Sequence, residues 1–236
     1  MKLLVLQHLE VEHPGVFRDF LREDGFSWHT VELDKGETIP DLEPFDAMMV
    51  MGGPQDTWQE DQFPWLKPEK AAIRRFVADM GRPYLGLCLG HQLLADALGG
   101  TVGPGSKPEV GALRIMQTED GKRDPLFQGV PDPIDVLQWH GAEVKVLPPG
   151  AVKLARSEIC EVQAFRYGSR AYGLQAHVEA TRDTVADWAA IPEYARALEA
   201  TLGPGSVERL AAEVAGLLPT YTSVARTLYT NFKKLL

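Results

Sequence analysis

With 236 residues, the chain is long enough for one large α/β domain or two small ones, and either could bury a sizeable core. Its hydrophobic content of 44% and charged content of 24% are ordinary for a globular protein and exclude a largely disordered chain. The formal net charge of −9 argues against non-specific binding to nucleic acid, which needs a basic surface.

Over the first hundred residues, short apolar runs alternate with amphipathic segments. Four runs predict strands, at residues 2–6, 28–33, 47–51 and 83–87, and the first of them is predicted to be buried. Three segments have helical spacing, at residues 14–23, 65–80 and 90–98. Such alternation predicts a mainly parallel sheet with helices on both faces, and ligands of such sheets bind beyond the carboxyl ends of the strands.

Between residues 110 and 175 the pattern changes to short strand-like runs separated by proline and glycine. These runs are 112–116, 135–139, 143–147, 162–167 and 171–175, and we predict no helix between them. After residue 181 the pattern is helical to the end, with breaks at Pro192 and at residues 203–205. We therefore predict a three-layer α/β domain with added antiparallel strands over 1–180, and a helical C-terminal extension over 181–236 that packs on it.

The number of cysteines and the length of the apolar segments indicate where in the cell the protein is expected. Cys88 and Cys160 are too few for a disulfide framework, so a reduced compartment is expected. The apolar start of the chain becomes polar at Gln7, which makes it shorter than a signal-peptide core. No stretch approaches the roughly 18 apolar residues that span a bilayer. These features predict a soluble, cytoplasmic protein.

The sharpest sequence feature is Gly86-Leu87-Cys88-Leu89-Gly90, which joins a predicted strand to a predicted helix. Flanking glycines remove side chains that would clash with a strained backbone at the tip of such a turn. The amino terminus of the following helix favours a negatively charged sulfur. Although an isolated cysteine is more often buried and inert, this context is that of a nucleophile elbow with sulfur in place of the serine oxygen. We predict that Cys88 is a nucleophile.

A cysteine nucleophile needs a base, which is commonly a histidine. The chain has six histidines: His8, His13, His29, His91, His140 and His177. His177 is the best candidate because it follows a strand-like run and has Glu179 two positions later. Residues i and i+2 of an extended chain point to the same side, so the carboxylate could orient the imidazole. His8, His13 and His29 have no partner motif and are predicted to be ordinary surface or core residues.

Two turn-like motifs could complete a site. Gly52-Gly53-Pro54 follows a predicted strand, and a tight glycine turn can aim backbone N–H groups at a developing oxyanion. The N–H of Leu89 is the natural second donor. Trp139-His140-Gly141 is predicted to be a turn, either a binding wall or a packed tryptophan beside an exposed histidine. We find no zinc-ligand spacing, no Walker loop and no dinucleotide fingerprint, so no metal and no cofactor are expected.

Taken in order, the motifs at residues 52–54, 86–92 and 173–179 resemble those of the class I glutamine amidotransferases. The resemblance is strongest to stand-alone members similar to the amidotransferase domain of GMP synthase. It runs from about residue 2 to residue 179 and includes the Trp-His-Gly segment. No motif covers the tail beyond residue 181.

The resemblance implies a hydrolase mechanism. Cys88 would attack the side-chain amide of glutamine and form a γ-glutamyl thioester. His177 would protonate the departing ammonia and then activate water, with Glu179 orienting its ring. Gly53 and Leu89 would supply the oxyanion hole.

The same resemblance implies that Gln92 and His140 line the glutamine site. The chain departs from the family pattern around the histidine, where Ala176 and Val178 replace the usual aromatic residue and proline. It also has Ala142 where an aspartate often follows the His-Gly pair. The first change alters the shape of the pocket, and the second removes one polar contact.

Three functions remain open from the sequence. The chain contains no recognisable ATP-using synthetase domain, so an amidotransferase would need a separate synthetase partner to receive its ammonia. The same residues could instead hydrolyse γ-glutamyl peptides or conjugates. A non-catalytic regulator that binds γ-glutamyl compounds or amino acids is the third reading. In each case the expected partner is a small molecule, with neither nucleic acid nor membrane.

Overall fold

A nine-stranded sheet forms the centre of the computed structural model, which describes every residue from Met1 to Leu236. The strands are β1 (Lys2–Gln7), β2 (Ser27–Glu32), β3 (Ala47–Val50), β4 (Tyr84–Leu87), β5 (Thr101–Gln117), β6 (Ile134–Val146), β7 (Val152–Arg156), β8 (Ala164–Tyr167) and β9 (Ala171–Leu174). Their order is β2-β1-β3-β4-β9-β8-β7-β5-β6. The first five strands in this order are parallel, and the remaining pairs are antiparallel. The predicted sheet, mainly parallel with added antiparallel strands, is confirmed.

Helices cover both faces of this sheet. They are α1 (Phe17–Glu23), α2 (Leu66–Arg74), α3 (Leu89–Ala97), α4 (Glu119–Arg123), α5 (Thr184–Ala189), α6 (Pro192–Leu202) and α7 (Ser206–Lys233). Strand β1 shows the layering, because Leu3 and Val5 join the hydrophobic cluster under α1 and α7, whereas Leu4 and Leu6 join the one under α2 and α3. Side chains alternate between the faces of a strand, so one apolar run serves both layers.

The C-terminal helices pack on the sheet in two places. The end of α7 lies against α1, where the Tyr229 hydroxyl donates to Asp24 Oδ2 at 2.6 Å. A separate apolar cluster joins α5, α6 and the start of α7 to Val110 of β5 and Trp139 of β6. The extension therefore packs against both α1 and the antiparallel strands β5 and β6. None of the helices has the length and apolar composition needed to cross a membrane.

One predicted boundary in the first half is wrong for a local reason. The helix predicted from residue 14 begins at Phe17, because Gly15 has a left-handed φ of +50° and lies against the backbone of Glu179. The bounds of the helix predicted over 65–80 are confirmed to within one residue, although its last part, Arg75–Asp79, is π-helical and not α-helical. The other elements of this half agree with their predictions to within about two residues.

The region between residues 110 and 175 differs more. Two predicted runs are parts of the single strand β6, so Trp139-His140-Gly141 lies within a strand and the predicted turn is wrong. Its partner β5 begins at Thr101, and glycines and prolines at its start are absorbed by a register shift between Pro104 and Glu109. Strand β7 was not predicted.

The prediction of no helix in this region is also wrong. Helix α4 has only five residues, too few for a visible helical period, and the Thr118 side chain caps it by accepting from the Gly121 N–H at 3.0 Å.

Candidate active site

Cys88 stands between the end of β4 and the start of α3 in a strained conformation. Its φ of +49° and ψ of −103° make it the only non-glycine residue with a positive φ. The flanking glycines are required by close backbone approaches. A Cβ at Gly86 would lie 2.4 Å from the carbonyl oxygen of Gly90, and one at Gly90 would lie 2.1 Å from that of Val50. The segment thus has the geometry of a nucleophile elbow.

His177 and Glu179 form a buried pair beside this elbow. The Nδ1 atom of His177 lies 2.8 Å from Oε1 of Glu179, and both side chains are almost fully buried. The backbone of His177 pairs with Leu137 of β6, to whose carbonyl its N–H donates at 2.8 Å. The loop before α1 fixes the backbone of Glu179, because the Val16 N–H donates to its carbonyl at 3.0 Å. Four distant segments therefore converge on this pair.

The electrostatics of His177 link it to Cys88. Burial alone would lower the pKa of His177, but the negative charges of Glu179 and of the Cys88 sulfur, together with their hydrogen bonds, outweigh burial and raise this pKa well above its usual value. The imidazole therefore favours its protonated form. A protonated imidazole is a neighbour that favours a thiolate over a thiol.

A cavity of about 170 Å³ opens onto Cys88. Gly53, Gln92 and His140, which the sequence resemblance assigned to the site, also line it. Leu89 is the first residue of α3, so its N–H has no acceptor within the helix, and its side chain lies close to the position that a Cβ on Gly53 would occupy. The structure therefore brings all the residues of the predicted site together.

Hydrogen bonds hold the two predicted binding side chains in place. The Nε2 group of Gln92 donates to the Ala142 carbonyl at 3.0 Å and to Gln175 Oε1 at 3.1 Å. Ring atom Nδ1 of His140 lies 2.9 Å from the same carbonyl, and Nε2 lies 3.1 Å from Glu109 Oε2. Glu109 of β5 lies directly opposite His140 of β6, so the pairing of these two strands holds the carboxylate next to the imidazole.

Sequence reasoning missed several residues around the site. Gln175 lies inside a motif that was singled out, and its Nε2 is 3.6 Å from the Cys88 sulfur. Trp188 of α5 packs edge-on against His177, with ring centroids 4.4 Å apart. Glu12 and Tyr194 share a hydrogen bond of 2.5 Å beside His177. Of these residues, only Gln175 could have been predicted from the sequence, because it lies two positions before His177 in the same extended segment.

His8 is a core residue, one of the two positions that its sequence context allowed, and it has two specific polar partners. It is fully buried, and its ring nitrogens lie 2.8 Å from the Gly52 carbonyl and 2.8 Å from Glu69 Oε1. Burial lowers the pKa of His8, but the charge of Glu69 and both hydrogen bonds outweigh it, so the pKa is raised. A protonated His8 donates at both nitrogens and so fixes the turn that contains Gly53.

Cys160 contrasts with Cys88. It is buried near Glu109 and His140, and burial raises the pKa of its thiol to about 12. The carboxylate of Glu109 is already occupied by His140 and by Gln163, whose Nε2 donates to it at 2.6 Å. A thiol that holds its proton so strongly is a poor nucleophile.

A larger open groove of about 1170 Å³ lies between β5 and the helices α6 and α7. It shares Pro108 and Val110 with the smaller cavity, but Cys88 lines only the smaller one. Because a reaction at the elbow requires access to the sulfur, we place the candidate active site in the smaller cavity.

Comparisons with known proteins give a consistent picture. Residues 17–187 match the protein family described as Glutamine amidotransferase class-I. The glutamine amidotransferase-like protein YfeJ of Salmonella typhimurium is 32% identical over 78% of each chain. A subunit of the glutamine-hydrolysing GMP synthase from Archaeoglobus fulgidus is 34% identical over 60% of this chain and 70% of its own. The crystal structure of a Thermotoga maritima glutamine amidotransferase superposes with a TM-score of 0.87, at 30% identity over 98% of this chain and 97% of its own.

Proposed function

The chain belongs to the class-I glutamine amidotransferase family, and from this premise we propose that it hydrolyses the side-chain amide of glutamine to glutamate and ammonia through a γ-glutamyl thioester. The observation that carries the proposal is the strained elbow of Cys88 beside the buried His177–Glu179 pair, at a cavity large enough for a small molecule. Family membership makes glutamine the first substrate to test.

The proposed reaction has two balanced steps. In the first, the Cys88 thiolate attacks the amide carbon, and the protonated His177 gives its proton to the departing nitrogen as the C–N bond breaks and ammonia leaves. In the second, His177 takes a proton from water, which attacks the thioester and releases glutamate and the thiolate. Glu179 holds the ring in one tautomer. The backbone N–H groups of Gly53 and Leu89 would stabilise the oxyanion in both steps.

The lining of the cavity supports a substrate with a free α-ammonium group. It contains the carboxylates of Asp56 and Glu193 and no lysine or arginine. The Asp56 side chain has no salt bridge, and burial alone raises the pKa of this carboxyl. Nearby, Oε1 of Gln55 is a buried acceptor without a hydrogen-bond partner. These acceptors match the N–H donors of an ammonium group, which glutamine and other γ-glutamyl compounds carry.

The fate of the ammonia is the second part of the proposal. Several relatives are named as subunits of glutamine-hydrolysing GMP synthases, which suggests that this chain also passes ammonia to a separate synthetase protein. Hydrolysis of γ-glutamyl peptides or conjugates by the same residues is the alternative, because the same thioester would form. A regulator that binds γ-glutamyl compounds without turnover is the other alternative, and a substrate assay separates all three.

The purified protein should release ammonia and glutamate from glutamine, and a glutamine-analogue chloroketone should add one covalent label at Cys88. Coupled detection of glutamate and mass spectrometry of the intact and digested protein measure the two results. Cleavage of γ-glutamyl dipeptides with little ammonia release from glutamine would favour the conjugate hydrolase. Binding of both compounds without turnover or labelling would leave only the regulator.

Asp56→Asn should raise KM for glutamine about tenfold to a hundredfold with little change in kcat, because a hydrogen bond to a charged group contributes about 1.5–3 kcal/mol. Steady-state kinetics with glutamine and with N-acetylglutamine, which lacks the ammonium charge, test this. The acetylated compound should be a poor substrate for the wild type and should show no further loss in the variant. The exposed Asp41→Asn serves as the control. An unchanged KM in Asp56→Asn would show that this carboxylate does not bind the substrate.

A further inference from the structure

A second carboxyl group lies beside the candidate catalytic histidine. Glu12, in the loop after β1, is 2% exposed, and Glu179 is 3% exposed. Their carboxyl groups and the imidazole of His177 have polar atoms within 4.8 Å of one another. Oε2 of Glu12 and Oε2 of Glu179 are both buried without a hydrogen-bond partner. Unpaired buried carboxylate oxygens are costly, and finding two so close together requires an explanation.

The turn at Gly52 places Glu12 directly beside the reaction centre. A Cβ at Gly52 would lie 2.5 Å from Oε2 of Glu12 and 3.1 Å from Cε1 of His177. The other oxygen of Glu12 accepts a hydrogen bond of 2.5 Å from the hydroxyl of Tyr194 in α6. Glu12 therefore connects the helical extension to the catalytic pair without lining the cavity.

We propose that Glu12 is a positioning residue of the proposed hydrolysis, which keeps a proton on Oε2 and donates it to Oε2 of Glu179. One proton then satisfies both unpaired oxygens. It completes a chain in which Tyr194 donates to Glu12, Glu12 donates to Glu179, and His177 donates to the other oxygen of Glu179. This inference rests on the proposed function for its kinetic consequence, although not for the location of the proton.

The surroundings of Glu12 support a neutral carboxyl group. Burial raises its pKa, and the negative charge of Glu179 acts in the same direction. The charge of His177, the Tyr194 hydroxyl and the charge of His8 act against this, yet the net direction is upward. Burial is the largest cause, because it penalises a charge on a carboxyl group whose Oε2 has no hydrogen-bond partner. A proton on Glu12 removes that charge.

This arrangement has a consequence for the reaction. With both oxygens of Glu179 engaged, its carboxylate cannot rotate away from His177, so the ring keeps its tautomer and orientation. Trp188 restrains the same ring from α5. If Glu12 were ionised instead, its charge would repel Glu179 and leave both Oε2 atoms unpaired.

Infrared difference spectroscopy tests the proton directly. Wild-type protein minus Glu12→Gln should show, near neutral pH, the carbonyl stretch of a neutral carboxylic acid, and the band should persist in Cys88→Ala. Its absence at neutral pH would overturn the inference. This measurement does not depend on turnover, so an inactive wild type that shows the band would refute the proposed function and leave the location of the proton standing.

Kinetics of two substitutions test the positioning role. The amide of Glu12→Gln is neutral and can donate to Glu179, so its kcat should stay within about threefold of the wild type. Glu12→Leu has no donor, and its kcat should fall about tenfold to a hundredfold, as when a functional histidine loses an outer partner. Equal large losses in both variants would show that an ionised Glu12 is required, and no loss in Glu12→Leu would show that the group is dispensable. Either result overturns the proposal. Thermal melting confirms that both variants fold.

Discussion

Cys88→Ala is expected to lower the rate of glutamine hydrolysis by about four to six orders of magnitude, the scale seen when a cooperating nucleophile is removed. Cys88 carries the only thiol that lines the cavity, and the proposed thioester requires a thiol. The remaining donors could still bind glutamine, so binding should persist while turnover stops. The measurements are single-turnover ammonia release and calorimetric binding of glutamine.

Cys160→Ala is the matched control, because Cys160 is the only other cysteine. Its thiol is 1% exposed and holds its proton to about pH 12, so the variant should keep the wild-type rate. The chloroketone label should remain in Cys160→Ala and disappear in Cys88→Ala. A Cys88→Ala protein that still releases ammonia at a near-normal rate would rule out the proposed mechanism.

The parts of the site that the sequence predicted are those with local causes. The elbow around Cys88 is visible in the sequence because backbone carbonyl groups lie so close to Gly86 and Gly90 that only glycine fits at these two positions. The pair of His177 and Glu179 shows because the two residues are two positions apart in an extended segment. The geometry joins them as expected, while their catalytic roles stay predictions.

The parts that the sequence did not predict depend on contacts between distant residues. Glu12 meets Tyr194 from 182 positions away, and His8 meets Glu69 from 61 positions away. A buried carboxylate or histidine in a loop has no periodic pattern, so only the folded chain shows its partner.

Pairing between β5 and β6 also explains why the turn predicted at His140 is wrong. The glycines and prolines early in β5 are typical of a loop, so the sequence does not predict a partner strand for the segment around His140. In the structure β5 pairs with β6 in spite of these residues, because shifts of register accommodate them. The parallel half of the sheet was predictable because the apolar runs of β1, β3 and β4 are short, continuous and buried on both faces. The division of the chain into a domain over 1–180 and an extension over 181–236 stays a prediction. Because α5 and α6 contact residues of the candidate site, the variants of Glu12 also test whether the extension supports that site.

His177→Ala is the second change with a very large expected effect, about four orders of magnitude or more in kcat. In the proposed mechanism, the variant loses the group that both activates the sulfur and protonates the leaving nitrogen. Steady-state ammonia release measures the loss, and Glu158→Gln at an exposed position serves as the control. Thioester formation at a near-normal rate in His177→Ala would show that another group carries the proton.

The pH profile of Glu179→Gln tests the same pair more finely. In the proposed mechanism the protonated ring of His177 is the active form, and the pKa of this ring lies well above its usual value because Glu179 and Cys88 outweigh burial. On the alkaline side, kcat/KM should therefore fall as the pH rises through this raised pKa. Glu179→Gln removes one of the two charges that oppose burial, so the alkaline fall should move to lower pH. A profile that stays in place would mean that Glu179 does not set the charge of His177, and the proposed proton transfer would lose its electrostatic basis.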